Sequence, residues 1–117
     1  MDTVYQSWYN EGMPGIQTVT EKEIKHILEM VITAIRKHVP KEYSILLFGS
    51  WAQSVATPTS DIDIAIYGPE RVDSVIMARI REDIEDIPTL RKIDIVDVNA
   101  SDKNFRKRIL NKAVVID

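Results

Sequence analysis

No cysteine occurs among the 117 residues, which excludes disulfides, thiolate metal sites and cysteine nucleophiles. Glycine and proline are scarce, at four and five residues, so each marks a particular turn, and no low-complexity tract or internal repeat is present. No apolar run approaches the roughly 20 residues of a membrane span. Met1 to Gly15 lacks the basic start and apolar stretch of a signal peptide, and a cytoplasmic location is the expectation. Positive charge is also short: 15 Lys and Arg stand against 18 Asp and Glu, a net charge of −3. That balance argues against a general nucleic-acid binder, whose surface is normally strongly basic.

What is present suffices for one core. A chain of this length with 44% hydrophobic residues fits a single compact domain. Residues 1–19, broken by Gly12, Pro14 and Gly15 and carrying Tyr5, Trp8 and Tyr9, are expected to form an N-terminal arm ahead of a domain spanning 20–117. Thr20 and Glu23 have capping-box spacing. Ile24, Ile27, Leu28, Val31 and Ile35 then make one apolar stripe, predicting a helix to about Lys37 that stops before Pro40. Strands are predicted at Ser44 to Phe48, Ile62 to Tyr67 and Lys92 to Val98, with an edge strand at Val114 to Ile116. Between them lie a short helix opening at Ser50, a helix from Arg71 to Asp86 with Val72, Val75, Ile76, Ile80 and Ile84 at helical spacing, and one from Asp102 to Asn111. The alternation predicts an α/β fold in which helices pack on a small mixed β-sheet. His26 and His38, far from any motif, are expected at the surface.

The stretch LLFGSWAQSVATPTSDIDIAI, Leu46 to Ile66, carries the chemistry. An apolar run breaks at Gly49-Ser50 and resumes ten residues later around Asp61 and Asp63. Successive side chains on a strand face opposite ways, so the two carboxylates point together while Ile62, Ile64 and Ile66 fill the other face. Two such carboxylates repel unless a cation lies between them, and hard oxygen donors suit Mg²⁺ or Mn²⁺. Downstream, the run Ile93-Asp94-Ile95-Val96-Asp97-Val98 offers one more acid for this face. Asp94 and Asp97 differ by three positions and so face opposite ways; because apolar residues occur on both faces, the pattern alone does not choose between them.

Gly49-Ser50, ten residues and Asp61-Ile62-Asp63, each after an apolar strand, resemble the signature of the polymerase beta-like nucleotidyltransferase superfamily. The short chain resembles in particular its minimal nucleotidyltransferase (MNT) domains, the MntA-type antitoxins of HEPN/MNT toxin–antitoxin pairs. The resemblance runs from about Thr20 to the C-terminus. It implies the polymerase beta-like fold, an acid mid-strand between apolar residues, hence Asp94, and two Mg²⁺ ions held by Asp61, Asp63 and Asp94. These ions lie about 3.5 to 4 Å apart, one activating the attacking hydroxyl and one clamping the triphosphate. Gly49 and Ser50 would contact the ATP phosphates.

The resemblance further implies AMP transfer from ATP to a hydroxyl, a tyrosine of a HEPN-domain toxin whose activity is thereby silenced. The alternative is a non-catalytic antitoxin that neutralises its partner by binding alone. Retention of all three acids favours the enzyme, since a binding module has no need of like charges packed together. Transfer to a small molecule is disfavoured because no second domain is present to build a pocket. The loop departs from the family: relatives often carry arginines at the positions of Trp51 and Gln53 and a glycine at that of Ser54. A basic patch, Lys103, Arg106, Lys107, Arg108 and Lys112, reads either as a solvated helix face or as a contact for a nucleotide or an acidic partner.

Overall fold

The computed structural model describes residues 19–117; the arm expected over 1–19 lies outside them, apart from the backbone of Val19. The elements are α1 (Val19–Arg36), β1 (Ser44–Phe48), α2 (Gly49–Ala52), β2 (Ile62–Tyr67), α3 (Ser74–Glu85), β3 (Ile93–Asp97), a 3₁₀ turn (Val98–Ala100), α4 (Lys103–Lys112) and β4 (Val114–Val115). The four strands form one mixed sheet in the order β3-β2-β1-β4. β1 pairs antiparallel with β2 and β4, and β2 pairs parallel with β3. No described helix is long and apolar enough to cross a membrane.

The two faces of the sheet separate by the period-2 alternation of the strands. Ile45, Leu47, Ile62, Ile64, Ile66 and Ile95 bury one face beneath α1 and α3. The predicted stripe of α1 is the buried one, with Ile24, Leu28, Val31 and Ile35 fully covered and Ile27 nearly so. Each such side chain contributes about 1.5–3 kcal/mol by leaving water. On the other face Leu46 and Ala65 pack with Val98 and Ile109, flanked by Phe48, Val96, Phe105 and Ala113, so α4 is its cover. One residue of register slip would exchange these faces.

Some local expectations give way to tertiary contacts. Thr20 lies inside α1 rather than capping it, and the Glu23 carboxylate pairs with Arg91 instead of reaching back to a helix amide. The helix expected from Arg71 begins only at Ser74. Asp73 is its N-cap, its Oδ1 accepting from Val75 N at 2.8 Å and Ile76 N at 3.4 Å, and this leaves Val72 as a buried loop residue and Val75 exposed. β3 ends at Asp97, one residue early, because that carboxylate caps the 3₁₀ turn. His38 is not a free surface residue: its Nε2 lies 2.6 Å from Asp83 Oδ2 on α3, which ties the turn after α1 to that helix.

Candidate active site

The strand register assembles the site. Phe48 of β1 faces Asp63 of β2, and Asp63 faces Asp94 of β3, so the three form one row across the sheet. Directly register-paired residues share a face. This row therefore lies on the face covered by α4, one step beyond the row of buried Leu46 and Ala65 and partly buried Val96, where the edge-on contact of Phe48 and Phe105 (centroids 6.5 Å apart) ends the packing. Asp63 and Asp94 are half-buried at that margin, and Asp61, just before β2, is exposed at its mouth.

Gly49 borders the same carboxylate. Its φ is +72°, in the left-handed region, and a Cβ on it would come within 2.2 Å of Asp63 Oδ2. Only glycine offers both that backbone and that space. Gly49 and Ser50 thus open the short α2 directly against the Asp63 carboxyl, where the chain turns from β1.

Burial first, then the charges of Asp94 and Asp61, raise the pKa of Asp63 above its ordinary value, while the Lys92 ammonium opposes the rise. Lys92 Nζ lies 3.7 Å from Asp94 Oδ1. Sequence reasoning passes over this lysine, although its i−2 spacing from Asp94 puts it on the same strand face. Asp97 has a different task. It is buried, 7% exposed, with Oδ2 accepting from Val72 N at 2.7 Å and Oδ1 from Asn99 N at 3.1 Å. Its face is that of Ile93 and Ile95, away from Asp63.

The loop between α2 and β2 is held from outside the motif. Trp51 is 7% exposed and its indole Nε1 donates to Ser60 O at 3.3 Å, so the bulky residue in an arginine's place is a core residue that ties down the approach to Asp61. Arg91 lies over the Trp51 ring, 5.8 Å from its centroid, and bonds to Pro58 O and to Glu23 of α1. Ser54 adopts φ +58°, the conformation for which a glycine is the easier choice. Gln53, where the second arginine would stand, is exposed.

The donor set matches a hard divalent ion: every candidate ligand is a carboxylate oxygen, and the Asp63 charge is one that burial and neighbours disfavour until a cation relieves it. The structure brings Asp63 and Asp94 together; among the described residues no three His, Cys, Asp or Glu side chains form a ready-made cage, so Asp61 stands at the rim rather than closed onto the pair.

Comparison with known proteins agrees with this geometry. The family described as polymerase beta nucleotidyltransferase matches residues 22–117. The chain belongs to that family. This nucleotidyltransferase is 32% identical over 91 residues to a protein of Methanocaldococcus jannaschii assigned as a protein adenylyltransferase, covering 78% of the chain and 95% of the relative. It is 30% identical over 89 residues to the protein of Haemophilus influenzae assigned as the protein adenylyltransferase MntA, covering 76% and 77%. Among solved structures, a chain in the complex of tri-AMPylated Shewanella oneidensis HEPN toxin with MNT antitoxin aligns with a TM-score of 0.59 at 20% identity, over 78% of this chain and 69% of that one. At that identity the likeness supports the nucleotidyltransferase fold.

Proposed function

We propose that this nucleotidyltransferase moves AMP from ATP to a hydroxyl of a HEPN-type protein partner, a tyrosine, and so acts as the antitoxin of a cytoplasmic toxin–antitoxin pair. The observation that carries the chemistry is the Asp63–Asp94 pair, set side by side by the β2–β3 register with Gly49 against it. The choice of donor and target is supported by the two relatives assigned as protein adenylyltransferases and by the AMPylated toxin in the complex of like fold.

The acceptor oxygen attacks the α-phosphorus, the bond from that phosphorus to the bridging oxygen of the β-phosphate breaks, and pyrophosphate leaves with the electron pair. The hydroxyl proton goes to the Asp94 carboxylate or to water. Mg²⁺ or Mn²⁺, held by Asp61, Asp63 and Asp94, would supply the charge compensation and acidify the attacking hydroxyl. Gly49 would let the β- and γ-phosphates approach the backbone, and the Ser50 hydroxyl would donate to them. The Asp63 carboxylate, in the row between Phe48 and Asp94, would be a ligand of that cation.

Intact-mass spectrometry of a HEPN partner incubated with this protein, ATP and Mg²⁺ tests the reading, with the addition of whole AMP units expected. The exposed position of Asp61 and the absence of loop arginines favour a second reading, neutralisation by binding alone. An unmodified yet inhibited partner, inhibited equally by the Asp61→Ala variant, would establish that reading instead.

A further inference from the structure

The cations of α4 do not form one surface. Five of its ten residues are basic and none is acidic, so no ion pair within the helix balances them, and Arg108 and Lys112, one turn apart, repel each other. The helix dipole accounts for Lys112, in the last turn. Arg106 is used inside the fold, its guanidinium donating to Asn99 O at 3.3 Å and Ser101 O at 3.4 Å. Arg108 lies two residues on, about 200° round the helix, and so on the opposite flank. It is exposed and makes no ion pair among the described residues.

That flank borders the site. β4 follows α4 after Ala113 and pairs Val114 with Leu47, which brings the C-terminal half of the helix to the end of β1, where Gly49 and Ser50 open α2. There α2 and α4 are in contact. The Arg108 guanidinium lies over the Phe105 ring, 5.5 Å from its centroid. Phe105 in turn meets Phe48 edge-on, and Phe48 is both the residue before Gly49 and the neighbour of Asp63 in the row. Two touching rings thus hold a cation at the Gly49–Ser50 end of the row, the end opposite Asp94. The α2 loop itself is poor in charge at that end, with Trp51 in the core and Gln53 neutral. A guanidinium, with its fork of donors, suits non-bridging phosphate oxygens.

We propose that Arg108 is a triphosphate-binding residue, its guanidinium donating to the β- and γ-phosphates at Gly49 and Ser50 in place of cations missing from the α2 loop. The inference rests on the ATP-dependent reading above. In the free protein the Phe105 ring keeps the side chain close to the site. A cation–π contact at an exposed position is weak, and phosphate oxygens displace it when the nucleotide binds.

Titration calorimetry with Mg²⁺–ATP on wild type, Arg108→Gln, Arg108→Lys and Lys107→Gln tests this. Lys107 is the matched control, an exposed cation on the same helix about 100° round from Arg108. Losing one charge-assisted hydrogen bond at an exposed site should weaken ATP binding about tenfold in Arg108→Gln. Arg108→Lys should keep part of the affinity, and Lys107→Gln, whose charge is screened by solvent, should stay within about twofold of wild type. Equal ATP affinity in wild type and Arg108→Gln overturns the inference while leaving the proposed function standing. So does an equal loss in Arg108→Gln and Lys107→Gln, which would reduce Arg108 to the general field of the helix. An Arg108→Gln protein that binds ATP normally but no longer binds the HEPN partner would make this flank a docking surface instead. A wild type that binds no Mg²⁺–ATP defeats both proposals at once.

Discussion

The carboxylate of Asp63 fills the space that a side chain on Gly49 would need, since a Cβ there would lie 2.2 Å from its Oδ2. The turn that ends β1 and the acid that begins β2 are therefore shaped to one another. Gly49→Ala should both strain the backbone at φ +72° and push Asp63 out of its row. A left-handed alanine alone costs about 1–2 kcal/mol. Transfer activity should fall by more than that loss of folded protein explains. Gly68→Ala is the matched control: its Cβ would meet the Tyr43 ring at 2.3 Å, at the far end of the sheet. It should lower the melting temperature without altering activity per folded molecule. Thermal melts and single-turnover transfer on the two variants separate the cases, and equal activity losses would show that Gly49 matters only for stability.

A pH dependence follows from the raised pKa of Asp63. Burial, then the charges of Asp94 and Asp61, hold it above the ordinary aspartate value. A carboxyl that binds its proton more tightly when folded adds stability below its unfolded pKa, and that stability is lost as pH rises through the folded value. In the protein without divalent ions the contribution of Asp63 to stability should thus decline as pH climbs from the acid carboxylate range toward neutrality. Asp63→Asn should remove this component and melt higher than wild type at neutral pH in chelator. The advantage should shrink as pH falls back into the carboxylate range and again when Mg²⁺ is added. Melts across pH in EDTA and in Mg²⁺ check the sign, and a wild type that outlasts Asp63→Asn in EDTA at neutral pH would contradict it.

The two acids of β3 should fail in opposite ways. Asp94 meets Asp63 across the sheet, whereas Asp97 is buried with its oxygens on the amides of Val72 and Asn99. Asp94→Asn should lose transfer by orders of magnitude with a near-normal melting curve. Asp97→Ala strands two amides and should cost about 1–3 kcal/mol in stability, while molecules that stay folded keep their activity. Urea unfolding beside the transfer assay decides. An inactive but stable Asp97→Ala protein would mean that the reaction uses the other face of the strand.

The strands and the acid pair are legible in the sequence because local pattern determines them. Apolar runs bounded by glycine or proline place β1 and β2, and strand alternation alone sets Asp61 and Asp63 on one face. Between Asp94 and Asp97 alternation says only that they differ; the parallel register with β2, a tertiary fact, sets Asp94 opposite Asp63 and leaves Asp97 to cap. The start of α3 escapes local pattern for the same reason: Val72 has helical spacing but is held by Asp97, 25 residues away. Nothing in the sequence around Trp51 announces Arg91, since pairings this distant along the chain follow no fixed spacing. As a result Trp51 reads as a missing arginine when it is a core residue, and Lys92 does not stand out until its ammonium is found beside Asp94.

That distinction between the two loop positions gives the last prediction. Restoring an arginine at Trp51 would place a guanidinium where an indole is 7% exposed, break its bond to Ser60 O and put a second cation against Arg91. Trp51→Arg should therefore lose about 2–4 kcal/mol of stability, the range for emptying a large aromatic site with partial refilling, and gain no ATP affinity. Gln53 is exposed at the C-terminal end of α2, so Gln53→Arg meets no such obstacle. Its stability should stay within about 0.5 kcal/mol of wild type, and its added charge should tighten Mg²⁺–ATP binding in a salt-sensitive way. Urea titrations and calorimetry at two ionic strengths measure both. Tighter ATP binding by Trp51→Arg at undiminished stability would show that the indole is not the anchor of this loop.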